Sequence, residues 1–156
     1  MTFQVFPPAH TFEPFEAEPA LPLSMPHISL GVHLCADGVD VAVMSAHASA
    51  VDICFFEGNR TLAEYGEHVT AEPQPLRERR FRLKPGLFGV WSGHIPGIQP
   101  GAAYGFRAYG TWDPSRGYFY NPAKVMLDPY ATALAQPPLL HSSLYAHKVD
   151  DHFHAY

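Results

Sequence analysis

Two cysteines in 156 residues, Cys35 and Cys54, are too few for a disulfide framework. No apolar run approaches the ~18 residues of a membrane-spanning helix. Met1 to Pro8 has neither a basic start nor a long apolar core, so no signal peptide is read there. Together these absences predict a cytoplasmic chain, outside any membrane, with both thiols reduced and buried. They also make the Asn59-Arg60-Thr61 sequon an ordinary turn. Charge is scarce as well: Asp, Glu, Lys and Arg make up 16% of the residues and the net charge is −5, which argues against a nucleic-acid partner. Sustained helical periodicity is missing before Pro129, and strand and helix never alternate, which excludes a parallel barrel within this sequence. There is no internal repeat. What the chain does hold is apolar residues, 47% of the total, enough for a real core in a length suited to one domain with tails.

Proline and glycine punctuate the chain unevenly. Pro7, Pro8, Pro14, Pro19, Pro22 and Pro26 rule out a helix near the N-terminus, because each removes an N–H and clashes with the preceding turn. The same stretch carries Phe3, Phe6, Phe12 and Phe15, unusual for a solvated linker. Residues 1–28 are therefore expected to form an extended arm that either docks partly on another surface, such as a neighbouring domain or chain, or stays a mobile tail.

From residue 29 the pattern takes a period of two. Leu30, Val32 and Leu34 alternate with Gly31, His33 and Cys35. After the turn signal Asp37-Gly38, Val39, Val41 and Val43 alternate with Asp40, Ala42 and Met44. Val51, Ile53 and Phe55 follow the same rule, and Gly58-Asn59 closes that strand. Arg79, Phe81 and Leu83 share one face, with Arg80, Arg82 and Lys84 on the other. Phe88 to Ile95 lies between Pro85-Gly86 and Pro96-Gly97, and Tyr104, Phe106 and Ala108 oppose Ala103, Gly105 and Arg107. Short strands at this spacing predict an all-β antiparallel sandwich over residues 29–135. One short helix is expected near Pro129 to Ala135, and residues 136–156 are expected to be a linker.

The stretch from Tyr104 to Ala131 reads YGFRAYGTWDPSRGYFYNPAKVMLDPYA. It resembles the N-terminal module of glycogen debranching enzymes and bacterial isoamylases of glycoside hydrolase family 13, a module classed with the family 48 carbohydrate-binding modules. Leu30-Gly31, Gly38-Val39, Ser45, Ala50-Val51, Cys54, Gly89-Val90-Trp91, Pro96-Gly97 and Pro100-Gly101 fit the same pattern. The resemblance implies a sandwich of immunoglobulin or fibronectin type III kind, packed against a (β/α)₈ catalytic barrel of the same protein. It also implies that the parent protein hydrolyses α-1,6 branches of glycogen or a limit dextrin.

Elementary chemistry accounts for much of the motif. Asp113-Pro114 and Asn121-Pro122 each start a turn, with the first residue capping backbone and Pro fixing the next φ. Gly117, after Arg116, offers a left-handed position. Asp128 is placed as the N-cap of the short helix, with Pro129 at its first position. Asp113, Arg116, Gly117, Asn121, Lys124 and Asp128 are thus the structural motif.

A glycosidase needs two carboxylates across the bond to be cut. The acidic residues here lie singly on strand faces and turns, and no barrel strand is found before Tyr156, so no catalytic residue and no cofactor is assigned and the chain alone is expected to cleave nothing. Binding α-glucan needs flat aromatic faces and polar partners. The candidates are Trp112 in a turn-rich stretch, Tyr109 beside it, Trp91 and Arg107. For Trp112 the preferred reading is packing against the catalytic domain, and for Trp91 packing in the core or between domains. Two departures from the glycogen-binding regulatory modules support this: no second Trp stands in Phe56 to Tyr65, and Gly105 occupies the position after the strand tyrosine where Lys is usual. Arg107 is expected to pair with Asp113. Arg77 to Lys84 is read as a solvated, edge-protecting strand face. His147, Asp150, Asp151, His152 and His154 are not framed by any element, and the remaining histidines show no ligand spacing, so no metal site is assigned. A glucan-binding module acting by itself, or a protein-interaction sandwich using the arm, are the alternative functions.

Overall fold

The computed structural model describes residues 10–11, 16–25, 29–57 and 77–134. Phe3, Phe6, Phe12 and Phe15 of the arm, the Asn59 sequon, the loop beyond Glu57 and the histidine-bearing tail lie outside them. Eleven strands are described: β1 (His10–Thr11), β2 (Glu18–Pro19), β3 (Gly31–Leu34), β4 (Gly38–Met44), β5 (Ala50–Glu57), β6 (Arg77–Arg82), β7 (Lys84–Pro85), β8 (Val90–Pro96), β9 (Ala103–Tyr109), β10 (Thr111–Asp113) and β11 (Tyr118–Phe119). They form two four-stranded sheets, in the orders β2-β6-β5-β9 and β3-β4-β8-β7, and a small third sheet, β1-β10-β11. All pairings are antiparallel except the two-residue pairing of β2 with β6.

The two larger sheets share one core, and the period of two explains it. Val39, Val41 and Val43 of β4 and Trp91 and Ile95 of β8 meet Val51, Ile53 and Phe55 of β5, Phe81 of β6 and Phe106 and Ala108 of β9. Val41, Ile53 and Ile95 are wholly buried, each worth about 1.5–3 kcal/mol of removed apolar surface. Trp91 adds a donor: its indole N–H reaches the Ser45 carbonyl at 3.0 Å.

The arm docks on its own sandwich. β2 extends the first sheet beside β6, the Ala20 N–H donates to Arg82 O at 2.9 Å, and Leu21 exchanges two backbone hydrogen bonds with His94 of the second sheet. Residues 18–21 thus cross from one sheet to the other. The chain just after β6 makes the same crossing: the Leu83 N–H bonds Val51 O and β7 joins β8. Ser24 and Met25 then clamp Asp40 on the outer face of β4. Asp40 accepts from Ser24 N–H at 3.0 Å, Ser24 Oγ at 2.6 Å, Met25 N–H at 3.1 Å and a His94 ring nitrogen at 2.9 Å.

Four expectations need correction. Residues 129–134 contain no helix. Asp128 makes a turn instead, its carboxylate accepting from Tyr130 N–H at 2.8 Å, because seven residues before Pro137-Pro138 offer too few hydrogen bonds to offset nucleation. Phe88 is not in a strand: it sits in a 3₁₀ turn at Leu87–Gly89 with φ +57 and is 89% exposed, and β8 begins at Val90. Asp113 accepts from Ser115 Oγ rather than capping backbone. Arg80 and Arg82 do not line a solvated edge, because β6 is flanked by β2 and β5 and both guanidiniums meet acidic partners.

Candidate functional site

The last strands and the loop between them build an open groove of about 780 Å³. Its walls include His47, Arg116, Tyr118, Tyr120, Lys124 and Met126. The loop folds as its sequence dictates. Pro114–Arg116 makes one 3₁₀ turn, Gly117 ends it at φ +80, and β11 returns antiparallel to β10. Arg116 lies over the Tyr118 ring at 5.4 Å, and the His47 ring meets Tyr118 edge-on at 5.4 Å. Asn121 then starts the next turn, its side-chain oxygen accepting from Ala123 N–H at 3.0 Å and its carbonyl from Lys124 N–H at 3.0 Å.

From there the chain adds to the free side of β9. Met126 exchanges two backbone hydrogen bonds with Phe106, at 2.7 and 2.8 Å. Gly105 permits this approach: a Cβ there would stand 2.4 Å from Val125 Cγ1 and 3.0 Å from Met126 O. Asp128 anchors the end of the segment, accepting from the Tyr104 hydroxyl at 2.9 Å. The segment leaves a row of exposed apolar side chains: Val125, Met126, Leu127, Tyr130 and Leu134, with Phe119 nearby on β11.

All four glucan-binding candidates are inside the protein. Trp112 is fully buried on β10, between β1 and β11, with Phe119 edge-on at 5.8 Å. Tyr109 is fully buried and donates to Asp52 at 2.8 Å. Trp91 belongs to the core. Arg107 does not reach Asp113. It makes a two-pronged pair with Glu78, at 2.7 and 2.8 Å, and donates to Pro122 O at 2.7 Å. The accessible rings that line the groove are Tyr118, Phe119 and Tyr120, and the signal that marks them is the run Gly117-Tyr118-Phe119-Tyr120-Asn121 through a left-handed turn.

The outer face of the first sheet carries a partly buried charge network. Glu78 receives both Arg107 and Arg80, and Asp52 receives Arg82 and Tyr109. Burial alone would raise the Glu78 carboxyl, but hydrogen bonds from Arg107, Cys54 and Arg80 outweigh it and bring the group from 4.5 to about 2. Asp40 behaves alike: burial opposes ionisation, and bonds from Ser24, His94 and Met25 bring it from 3.8 to about 2. Both folded values lie below the unfolded ones, so their stabilisation is complete above about pH 4.5 and drains away as pH falls through about 2. Urea midpoints should therefore drop steeply between pH 5 and 2, and Glu78→Gln should flatten part of that slope. An unchanged slope in Glu78→Gln would contradict the assignment. Cys54, beside Glu78, is pushed up to about 12 by burial and by that carboxylate, so it is inert as a nucleophile.

No helix among the described residues is long and apolar enough to cross a membrane. The model of carbohydrate-binding module 48, the isoamylase N-terminal domain, matches residues 29–131. That span takes in every strand from β3 to β11, the groove and the anchoring turn at Asp128. The chain belongs to this family of non-catalytic carbohydrate-binding modules.

Proposed function

We propose that the chain is the N-terminal, non-catalytic sandwich of a cytoplasmic glycogen debranching hydrolase of glycoside hydrolase family 13. Its sandwich is of immunoglobulin or fibronectin type III kind. Its partner is the (β/α)₈ barrel of the same protein, which carries the two carboxylates that cut α-1,6 branches. The observation that carries this reading is the set of exposed apolar side chains on residues 125–134, after the last described strand. Several exposed apolar side chains on one short segment beside a groove are characteristic of a domain interface. The burial of Trp112 and Tyr109 supports the same reading, since the rings that would stack on glucose are used for packing.

The second reading, a glucan-binding module acting by itself, is favoured by the groove, whose accessible tyrosines, Arg116 and Lys124 could hold a sugar chain. One comparison separates the two. The chain is mixed with a separately produced barrel of a family 13 debranching hydrolase, and complex formation is measured for the parent chain and for Met126→Asp with Tyr130→Asp. A complex lost in the double variant, with unchanged circular dichroism, is the expected result. Heat of maltoheptaose binding that disappears in Tyr118→Ala, with no barrel complex at all, would favour the second reading. Release of reducing ends from a limit dextrin by the chain alone would overturn both.

A further inference from the structure

One buried ring atom makes no hydrogen bond within the sandwich. His94, on β8, is 4% exposed; one ring nitrogen, Nδ1, bonds Asp40 at 2.9 Å, while the other, Nε2, is buried without a hydrogen bond. A buried polar atom without a hydrogen bond is unfavourable, so its environment calls for a partner. The sheet register brings suitable chemistry to it. Asp40 of β4 stands opposite His94, and the β3–β4 turn places Cys35 and Asp37 alongside. Cys35 Sγ, an Asp40 oxygen and a His94 ring nitrogen all lie within 4.8 Å of one another. Asp37 Oδ1 is 3.4 Å from His94 Nε2. Two donors on one tetrahedral zinc, with bonds of about 2.0–2.1 Å, stand about 3.3 Å apart.

We propose that His94 Nε2, Cys35 Sγ and Asp37 form a binding site for a divalent metal ion of the zinc type. Asp40 is the positioning residue. Its carboxylate, already held by Ser24 and Met25, accepts the Nδ1–H of His94 and so leaves the Nε2 lone pair turned outward. Nitrogen, sulfur and carboxylate together suit zinc or cobalt better than calcium or magnesium. As the metal–sulfur bond forms, the Cys35 thiol gives its proton to the buffer, and the water on the ion's fourth position completes the shell. Asp37 is largely exposed and Cys35 half-buried, so both donors can adjust, whereas His94 is fixed. The sequence alone does not reveal the set because its members lie on two strands and a turn and share no ligand spacing.

The test uses the full chain with Co²⁺ and Zn²⁺ alone. Co²⁺ should give a thiolate-to-cobalt charge-transfer band at one equivalent, and Zn²⁺ should abolish it. Zn²⁺ should also slow alkylation of Cys35 by about tenfold or more; Cys54 is buried and does not report. In Cys35→Ser, which leaves the core untouched, the band should vanish. In His94→Gln the affinity should fall by more than the roughly 10- to 100-fold that losing an outer-shell partner costs. His147, His152 and His154 offer nitrogen but no sulfur, so metal bound there gives no such band. Cobalt binding without the band, or a band that persists in Cys35→Ser, overturns the proposal. So does a Cys35 alkylation rate that zinc leaves unchanged. Because none of these readouts involves glucan or a barrel, they stand or fall apart from the debranching reading.

Discussion

Replacing Trp112 by alanine is expected to destabilise the sandwich by about 3–5 kcal/mol, the cost typical of emptying a buried aromatic site. The indole is fully buried, it lies against Phe119, and its strand is the centre of the three-stranded β1-β10-β11 sheet. A domain of this size commonly has only 5–15 kcal/mol in hand, so the loss is a third or more of the whole. The measurement is urea unfolding followed by circular dichroism. Trp112→Phe should cost less, because a ring still meets Phe119. The result matters for function. A tryptophan that stacks on sugar would be dispensable for folding, and its alanine variant would be as stable as the parent while losing only the heat of maltoheptaose binding. That outcome would remove the packing assignment and restore Trp112 as a platform.

Asp52→Ala should have an effect of similar size for a different reason. The carboxylate is wholly buried on β5 and is gripped by the Arg82 guanidinium and by the Tyr109 hydroxyl. Arg82, only 28% exposed, also lies over the Tyr109 ring at 5.2 Å. Taking away one partner of such a pair leaves a charge with little water around it, at a cost of about 3–5 kcal/mol. Taking away both should cost far less: Asp52→Leu combined with Arg82→Met is expected to recover most of the stability, since an apolar pair of similar volume needs no counter-charge. The double-mutant cycle is the measurement. A single Asp52→Ala loss under about 1 kcal/mol would mean that the network is solvated in solution and contributes little.

The layered fold was legible because its cause is local. Val39, Val41 and Val43, or Val51, Ile53 and Phe55, repeat with period two whatever packs against them, and Asp37-Gly38 announces its turn. The left-handed turn at Gly117 and the turn at Asn121 follow from two or three neighbouring residues and were equally readable. What escaped depends on residues far apart in the chain. Arg107 found Glu78 rather than Asp113 because residues 121–126 lie back over β9 and hold its guanidinium down with the Pro122 carbonyl. Arg80 and Arg82 read as a wet strand face because alternation of charge and apolar residues looks the same whether or not acids wait opposite. Trp112 read as a loop side chain because Gly110-Thr111-Trp112-Asp113 carries turn residues; its burial comes from strands on both sides, one of them about a hundred residues earlier. The family membership was legible in residues 29–131 as a whole, but the accessible rings Tyr118 and Tyr120 were overshadowed by the tryptophan.

The crossing made by residues 18–21 also has a bearing on the order in which the domain assembles. Its partners, Phe81, Arg82 and His94, are synthesised long after it, so during translation the arm must wait, unpaired, for β6 and β8 to arrive. Closing so long a loop is entropically costly and gains its reward late. The hairpin of β3 and β4, whose contacts span a few residues, can form first, and the arm then seats as the final seam.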